Sequence, residues 1–374
     1  MAAVSHKKAS SSLFIKRFLG KVITMAKKKV AIVGFGGQGN WHGQKILKNN
    51  VVDLVGIYDI RPVRMEYAKE QGIHTYESYE DMLAGEADII VVATPNDSHK
   101  DLCVRALRAG KHVICEKPVT MSVEEFDEIV QTANETGKVF EVHQNRRWDT
   151  DFLLMKDMIE TERIGKPLFL GSYVQGSRGI PGDWRCEKQH GGGMMLDWGV
   201  HLIDQMLLLV DSPINSLYCI TTNYTNSEVD DGFKLFLHFA NGVVGYVEVG
   251  TYNFITNNRF YGQFEQGTAQ IMGWNDSIRV RQCTNWGEGD AHPVQTASGI
   301  TKTMAPRSDA TVNEFTIAPS PSDVHDFYRN FVDAIEGKAQ KRIADSEVRR
   351  VLLVMQSALT SAAENRVVTF SPAL

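Results

Sequence analysis

The sequence predicts an α/β half followed by an α+β half. Three observations carry this. A glycine-rich turn near residue 34 separates a β-branched run from a helical stretch. Strands and helices alternate through residues 30–142. From about residue 168 short strands separated by turn residues take over, and helix returns only at the end. A chain of 374 residues has the length for two domains. With 43% apolar and 23% charged residues it belongs with globular rather than disordered chains. A net charge of −5 speaks against a broad nucleic-acid-binding surface, so no nucleic-acid partner is expected. The longest apolar runs, residues 89–93 and 206–210, fall far short of the roughly 20 residues that span a bilayer, so no membrane partner is expected either. Cys103, Cys115, Cys186, Cys219 and Cys283 are scattered and form no C-x-x-C, which fits a reducing, cytoplasmic setting.

Residues 1–25 carry basic residues and serines but no acid. They read as an N-terminal extension, expected to be disordered, ahead of a start at Met25. A transit peptide is the alternative.

Residues 26–147 read as a first domain. The run Val30-Ala31-Ile32-Val33 leads into Gly34-Phe35-Gly36-Gly37-Gln38-Gly39, a G-x-G-x-x-G between strand and helix. Gly34 permits the turn, Gly36 lets the backbone approach a pyrophosphate, and Gly39 lets helix and strand pack closely. Residues 51–60 form a second strand ending at Asp59, 20 residues after Gly39, where a carboxylate accepts hydrogen bonds from an adenosine ribose. Asp59 also repels a 2′-phosphate, so NAD is expected over NADP, although the nearby Arg61 softens that preference. A helix over 62–71, a strand over 87–94, a helix over 97–109, a strand over 113–115, a helix over 122–136 and a strand over 139–142 complete a doubly wound parallel sheet of Rossmann type. Ser122 with Glu125 three residues on is a capping box for the last helix. Thr94-Pro95-Asn96, Glu116-Lys117-Pro118 and His143-Gln144-Asn145 follow strand ends and should line one cleft.

Gly34-x-Gly36-x-x-Gly39-x-x-His42, Ala93-Thr94-Pro95-Asn96-x-x-His99 and Glu116-Lys117-Pro118 closely resemble the Gfo/Idh/MocA oxidoreductases, which include glucose–fructose oxidoreductase and inositol dehydrogenases. Gly191-Gly192-Gly193-x-x-x-Asp197-x-Gly199-x-His201-x-x-Asp204 resembles that family's second signature. The resemblance runs from about residue 28 to the C-terminus. It implies cofactor contacts from Gly34, Phe35, Gly36, Gly37, Gln38, Gly39, Asp59, Ile60, Arg61, Thr94, Pro95, Asn96, His99, Glu116, Lys117 and Asn145. For residues 148–374 it implies a substrate-binding and oligomerisation domain built on a large, mostly antiparallel open sheet, and hence a homodimer or homotetramer. Residues 168–174, 217–224, 233–239, 243–249, 260–264, 268–272 and 278–281 supply the expected strands, with Asn241-Gly242 a hairpin signal. Residues 285–315 read as a long loop, and residues 322–336 and 345–365 as helices.

The chemistry rests on residues 193–210, whose pattern is helical. Asp197 and His201, four apart, share a face, and Asp204 lies within reach of His201. Oxidising a secondary alcohol needs a base near neutrality, which histidine supplies, and a cation for the developing alkoxide. The resemblance assigns these roles to Lys117, Asp197 and His201, and leaves open whether Lys117 or His201 is the base. Cys186, His190, Asp197 and His201 are possible zinc ligands, but their spacing is irregular and no metal is expected. Substrate contacts are expected from Lys117, Arg147, Trp148, Tyr173, Trp184, Asp197 and His201, with Arg146, Arg185 and His190 nearby and the loop 177–190 as a gate. For Arg147 an ion pair with Asp149 or Asp151 is the competing reading. By analogy with the family the partner is a small polyhydroxylated molecule: a sugar, glycoside or cyclitol oxidised by NAD at a ring hydroxyl. The alternatives are a glycosidase that uses NAD transiently and a catalytically silent NAD sensor.

Overall fold

The computed structural model describes residues 26–374 apart from 288 and 290, so the N-terminal extension read from the sequence lies outside the described residues. Five strands, β1 (Lys28–Val33), β2 (Val52–Tyr58), β3 (Ile89–Val92), β4 (His112–Cys115) and β5 (Phe140–Val142), form a wholly parallel sheet in the order β2-β1-β3-β4-β5. Strands so rich in Val and Ile are covered on both faces, and β3 is buried along its whole length. The covering helices are α1 (Gly37–Ile46), α2 (Pro62–Glu70), α3 (Tyr79–Ala84), α4 (His99–Arg108) and α5 (Val123–Thr136). Helix α3 was not expected. Ser78 caps it by accepting the Asp81 N–H at 3.0 Å. Ser122 caps α5 through the Glu125 N–H, but the Glu125 carboxylate turns back to the Met121 N–H rather than to that of Ser122.

After α6 (Thr150–Glu160) and β6 (Pro167–Gln175) the chain enters the helix that carries the second signature, with a turn of π-helix over Met195–Gly199 and α7 over Val200–Leu209. There follow β7 (Ile214–Thr222), β8 (Gly232–Phe239), β9 (Val244–Gly250), β10 (Phe260–Phe264), β11 (Gly267–Ile271) and β12 (Ile278–Cys283). The segment 285–315 is not a simple loop. It holds a hairpin of β13 (Val294–Thr296) and β14 (Gly299–Thr301), and its last residues begin β15 (Val312–Ile317), which pairs along β12. Helices α8 (His325–Ile335) and α9 (Asp345–Glu364) and a short β16 (Val368–Thr369) end the chain. The second sheet runs β15-β12-β11-β10-β6-β9-β8-β7-β16, antiparallel at every junction except β6–β9. Asn241-Gly242 turns β8 into β9, with Gly242 at φ +89.

One face of this sheet packs on α6, α7 and α9 through Leu170, Leu235, Leu237, Val247, Met206 and Met355. Alternation puts Tyr173 on the other face, against Tyr246 at 5.5 Å. The boundary at residue 148 also needs amendment. Phe327, Tyr328 and Phe331 of α8, and Val348 and Leu352 of α9, belong to the core of the parallel-sheet domain, so the chain returns to its first domain near the end. Among the described residues no helix is long and apolar enough to cross a membrane.

Candidate active site

The turn after β1 is shaped for a close ligand. Gly34 has φ +85, and a Cβ there would lie 2.6 Å from the Ala93 carbonyl oxygen. Gly39 packs so tightly that a Cβ would meet the Gly34 carbonyl oxygen at 1.9 Å. Around Gly37, by contrast, the space is open, as a diphosphate approaching the first turn of α1 requires. Asp59 is buried at the end of β2 and accepts the Phe35 N–H at 2.7 Å and the Arg61 N–H at 2.8 Å, one on each oxygen. That fixes the carboxylate beside the glycine turn. Ile60 is 84% exposed at the rim. Beyond β5 the Asn145 Oδ1 is buried without a partner, as are both polar atoms of the Gln144 side chain. An open glycine cradle, a fixed carboxylate and orphaned amide groups suit a dinucleotide with a carboxamide-bearing ring. Gly36, Gly37, Gln38, Asp59, Arg61, Thr94 and Asn145 would hold it.

Three residues expected at the cofactor have other partners. Asn96 donates to the Gly191 carbonyl at 2.9 Å. His99 is buried between the carbonyls of Thr94 and Pro118, 2.9 and 3.0 Å away, and ties those two loops together. Glu116 is buried, and its Oε1 lies 2.8 Å from His42 Nε2, 2.7 Å from His143 Nδ1 and 3.1 Å from Gln38 Nε2. Burial alone would raise the Glu116 carboxyl, but His143 and His42 hold it well below the ordinary carboxylate range. His42 passes the chain on to the Tyr328 hydroxyl at 2.6 Å. This cluster braces the backbone that carries Lys117. Its 2.7 and 2.8 Å contacts converge on a single carboxylate oxygen at hydrogen-bond spacing.

Lys117 projects from the loop after β4 to the second-signature helix. Its ammonium donates to the Asp197 backbone carbonyl at 3.0 Å and to Asp197 Oδ1 at 3.2 Å. Arg185 donates from Nε to Asp197 Oδ2 at 3.3 Å. Burial favours a protonated Asp197, but Lys117 and Arg185 together hold it below its ordinary value. One turn on, His201 is buried and its Nδ1 has no partner. Burial, then the charges of Lys117 and Arg146, keep its pKa well below the ordinary histidine value, so the imidazole is neutral at pH 7. Lys117 and Asp197 thus meet where the two domains face each other, and His201 follows four residues on in the same helix. The π-turn at Met195–Gly199 lies immediately before His201.

Other expected contacts are reassigned. Asp204 turns away from His201 to form a buried two-point ion pair with Arg147, at 2.8 and 2.5 Å, and Arg147 also reaches Glu347 of α9 at 2.7 Å. Arg147 is therefore a strut between α7 and α9, with neither proposed partner, Asp149 or Asp151. Trp148 packs on Phe327 of α8. Tyr173 lies on the face of its sheet opposite α7, the helix that carries His201. Trp184 stacks under the Arg185 guanidinium at 4.6 Å. Two residues went unnoticed in the sequence. Trp198 lies 5.8 Å from the His201 ring, and Trp274, from the turn after β11, lies 5.8 Å from Trp198. Arg146 rests over both, at 4.4 and 4.9 Å. Position four residues before a helical histidine was a usable signal for Asp197. Nothing in the local sequence pairs Trp274 with Trp198.

A parallel dinucleotide-type sheet, its glycine cradle and a cation–carboxylate–imidazole group at the domain junction define a nucleotide-dependent oxidoreductase class. Residues 28–144 match the profile of an oxidoreductase family with an NAD-binding Rossmann fold, and residues 152–278 match the GFO/IDH/MocA C-terminal domain. The chain is similar to a crystal structure of an NAD-binding protein from Listeria innocua, with 42% identity, a TM-score of 0.83, and 92% of this chain and 97% of that one covered. Among curated proteins it is similar to the scyllo-inositol 2-dehydrogenase (NADP(+)) IolW of Bacillus subtilis (strain 168), 26% identical over 91% of this chain and 95% of that protein. It is also similar to the scyllo-inositol 2-dehydrogenase (NAD(+)) of the same organism, 28% identical over 50% of this chain and 56% of that protein. Other curated relatives align over part of their length only, 47% and 61% in two of them. The chain belongs to the GFO/IDH/MocA family of NAD(P)-dependent oxidoreductases, and its first domain is the family's NAD-binding Rossmann fold.

Proposed function

We propose that the protein oxidises a secondary hydroxyl of a sugar, glycoside or cyclitol, with NAD as the preferred nucleotide. The observation that carries this is the contact of the Lys117 ammonium with Asp197, one turn from the buried, neutral His201. When bound, the nicotinamide supplies the hydride acceptor. His201, unprotonated at neutral pH, takes the hydroxyl proton. The Lys117 ammonium stabilises the developing alkoxide charge in a water-poor cleft. Asp197 orients Lys117 and accepts a hydrogen bond from a neighbouring substrate hydroxyl. Trp198, Trp274 and Arg146 offer the flat and forked surfaces that polyhydroxylated rings pack on. Asp59, fixed beside the glycine turn, favours a ribose hydroxyl over a 2′-phosphate. The named inositol dehydrogenases among the relatives support the substrate class, and the relative named for NADP(+) shows that the nucleotide preference varies within the family.

We also propose that copies pair through the open face of the second sheet. There Phe236, Tyr246 and Tyr173 form a continuous aromatic row, with ring separations of 4.7 and 5.5 Å. Five free thiols fit a reducing, cytoplasmic compartment. The functional test is a panel of sugars, cyclitols and glycosides, with NAD and NADP in parallel, followed by reduced-nicotinamide absorbance and product analysis. Reduction of NAD by a cyclic polyol is expected. Bond cleavage without net reduction would point instead to a glycosidase, and inertness with intact nucleotide binding to a sensor.

A further inference from the structure

We propose that Arg185 is a positioning residue for the Asp197–Lys117 pair, carried by a strap that also fastens to the loop after β3 on the cofactor side. The inference rests on the dehydrogenase reading of the site. The strap is the segment 176–193. At one end it is tied to the second domain, where the Gly176 and Gly179 N–H groups donate to the carbonyls of Gly250 and Thr251 at 2.8 and 3.0 Å. At the other it is tied to the first domain. Asn96 donates to the Gly191 carbonyl at 2.9 Å, and His190 Nδ1 lies 3.0 Å from Asp97 Oδ2. Between these anchors Trp184–Cys186 makes a short 3-10 turn that Asp183 caps by accepting the Arg185 N–H at 3.0 Å.

The guanidinium is held before it reaches its target. Nη1 is 2.9 Å from Asp183 Oδ2, the plane lies on the Trp184 ring, and the Arg185 backbone carbonyl accepts the Gly193 N–H at 3.0 Å. Nε then contacts Asp197 Oδ2 while Lys117 takes Oδ1. Each oxygen of the Asp197 carboxylate therefore has its own cation, one from each domain. The pair fixes the carboxylate plane, and that plane, together with the Asp197 backbone carbonyl 3.0 Å from the same ammonium, sets where Lys117 points. The other charged or titratable groups around the pair are Asp183 on the strap, Glu116 and His143 behind Lys117, and His201 and Arg146 along the cleft wall. None of them contacts Asp197 in place of Arg185. A cation at this range lowers a carboxyl by about 1–3 pH units, so losing one of two should release a measurable part of that.

The test uses the full chain. A carbon-13 carboxyl titration reads Asp197, identified by the resonance lost in D197N. The variants are R185M, R185Q and R185K. In R185M and R185Q the Asp197 midpoint should rise by about one pH unit or more, and in R185K by less, because the charge is kept and the fork lost. With a turned-over polyol, R185M should lower kcat by roughly tenfold or more with KM for NAD unchanged, and the acid limb of the rate profile should move up in step. An Asp197 midpoint unmoved in both R185M and R185Q overturns the proposal. If the wild-type chain turns over no polyol, the dehydrogenase reading fails, and the titration still decides whether Arg185 governs Asp197.

Discussion

Replacing Arg147 with methionine separates a substrate contact from a structural strut. The side chain is 10% exposed and its partner Asp204 only 3%, and three hydrogen bonds of 2.5–2.8 Å tie the guanidinium to Asp204 and Glu347. Methionine fills much of the same volume but leaves the Asp204 carboxylate buried and unpaired between α7 and the loop after β5. Breaking a buried pair from one side costs about 3–5 kcal/mol, because the remaining charge loses its partner and cannot regain water. In a chain of this size that lowers Tm by about 4–6 °C. Adding Asp204→Asn removes the orphaned charge and should recover part of the loss, so the two changes are not additive. Thermal unfolding of R147M, D204N and the double variant measures the stability, and KM for the best polyol measures binding. A wild-type Tm with a strongly raised KM in R147M would refute the strut and restore Arg147 to the substrate.

Asp59→Ser removes the carboxylate set beside the glycine turn, and kcat/KM for NADP relative to NAD should rise roughly 10- to 100-fold; an unchanged ratio would remove Asp59 from nucleotide selection. Glu141 is buried in β5, and burial raises its pKa from 4.5 to about 7, so the native state binds a proton there that the unfolded chain has lost. Its contribution is full below pH 4.5 and disappears as pH rises to about 7. E141Q should therefore gain on the order of 3 kcal/mol relative to wild type between about pH 5 and pH 8, read from urea midpoints, and equal slopes would contradict this. His201 is held below the ordinary histidine value of 6.5 by burial and then by Lys117, so kcat/KM for alcohol oxidation should stay level as pH falls through about 6.5. An imidazole limb in that profile above pH 7 would argue against His201 as the base.

The first domain was legible because its signals are local. A β-branched run, a glycine turn and a helix cap all lie within a few residues, and a parallel sheet covered on both faces leaves unbroken apolar strands. The strands of the second sheet were legible from alternation, apart from β15 and β16. β15, near the loop-like composition of 285–315, becomes a strand only by pairing with β12. Asp197 and Lys117 were legible as motif residues, but the contact between them spans 80 positions. Arg147 was misread for the same reason. Its partners, Asp204 and Glu347, lie on helices brought to it by the fold, whereas Asp149 and Asp151 were only near in sequence. Tyr173 was misplaced because a strand's alternation gives two faces and does not say which one faces the helices. Glu116 and His99 carry motif positions yet are used inside the scaffold, holding the loops from which Lys117 projects.

In the proposed chemistry Lys117 and His201 act as one unit on a single hydroxyl. The most direct measurement is turnover of a reactive polyol by K117A, H201A and the double variant, with NADH binding followed by fluorescence. Each single change should lower kcat by roughly 10²–10⁴ with NADH affinity retained, and the double variant should be little slower than the worse single one. Near-normal turnover in either single variant, or losses that simply multiply in the double, would contradict the account.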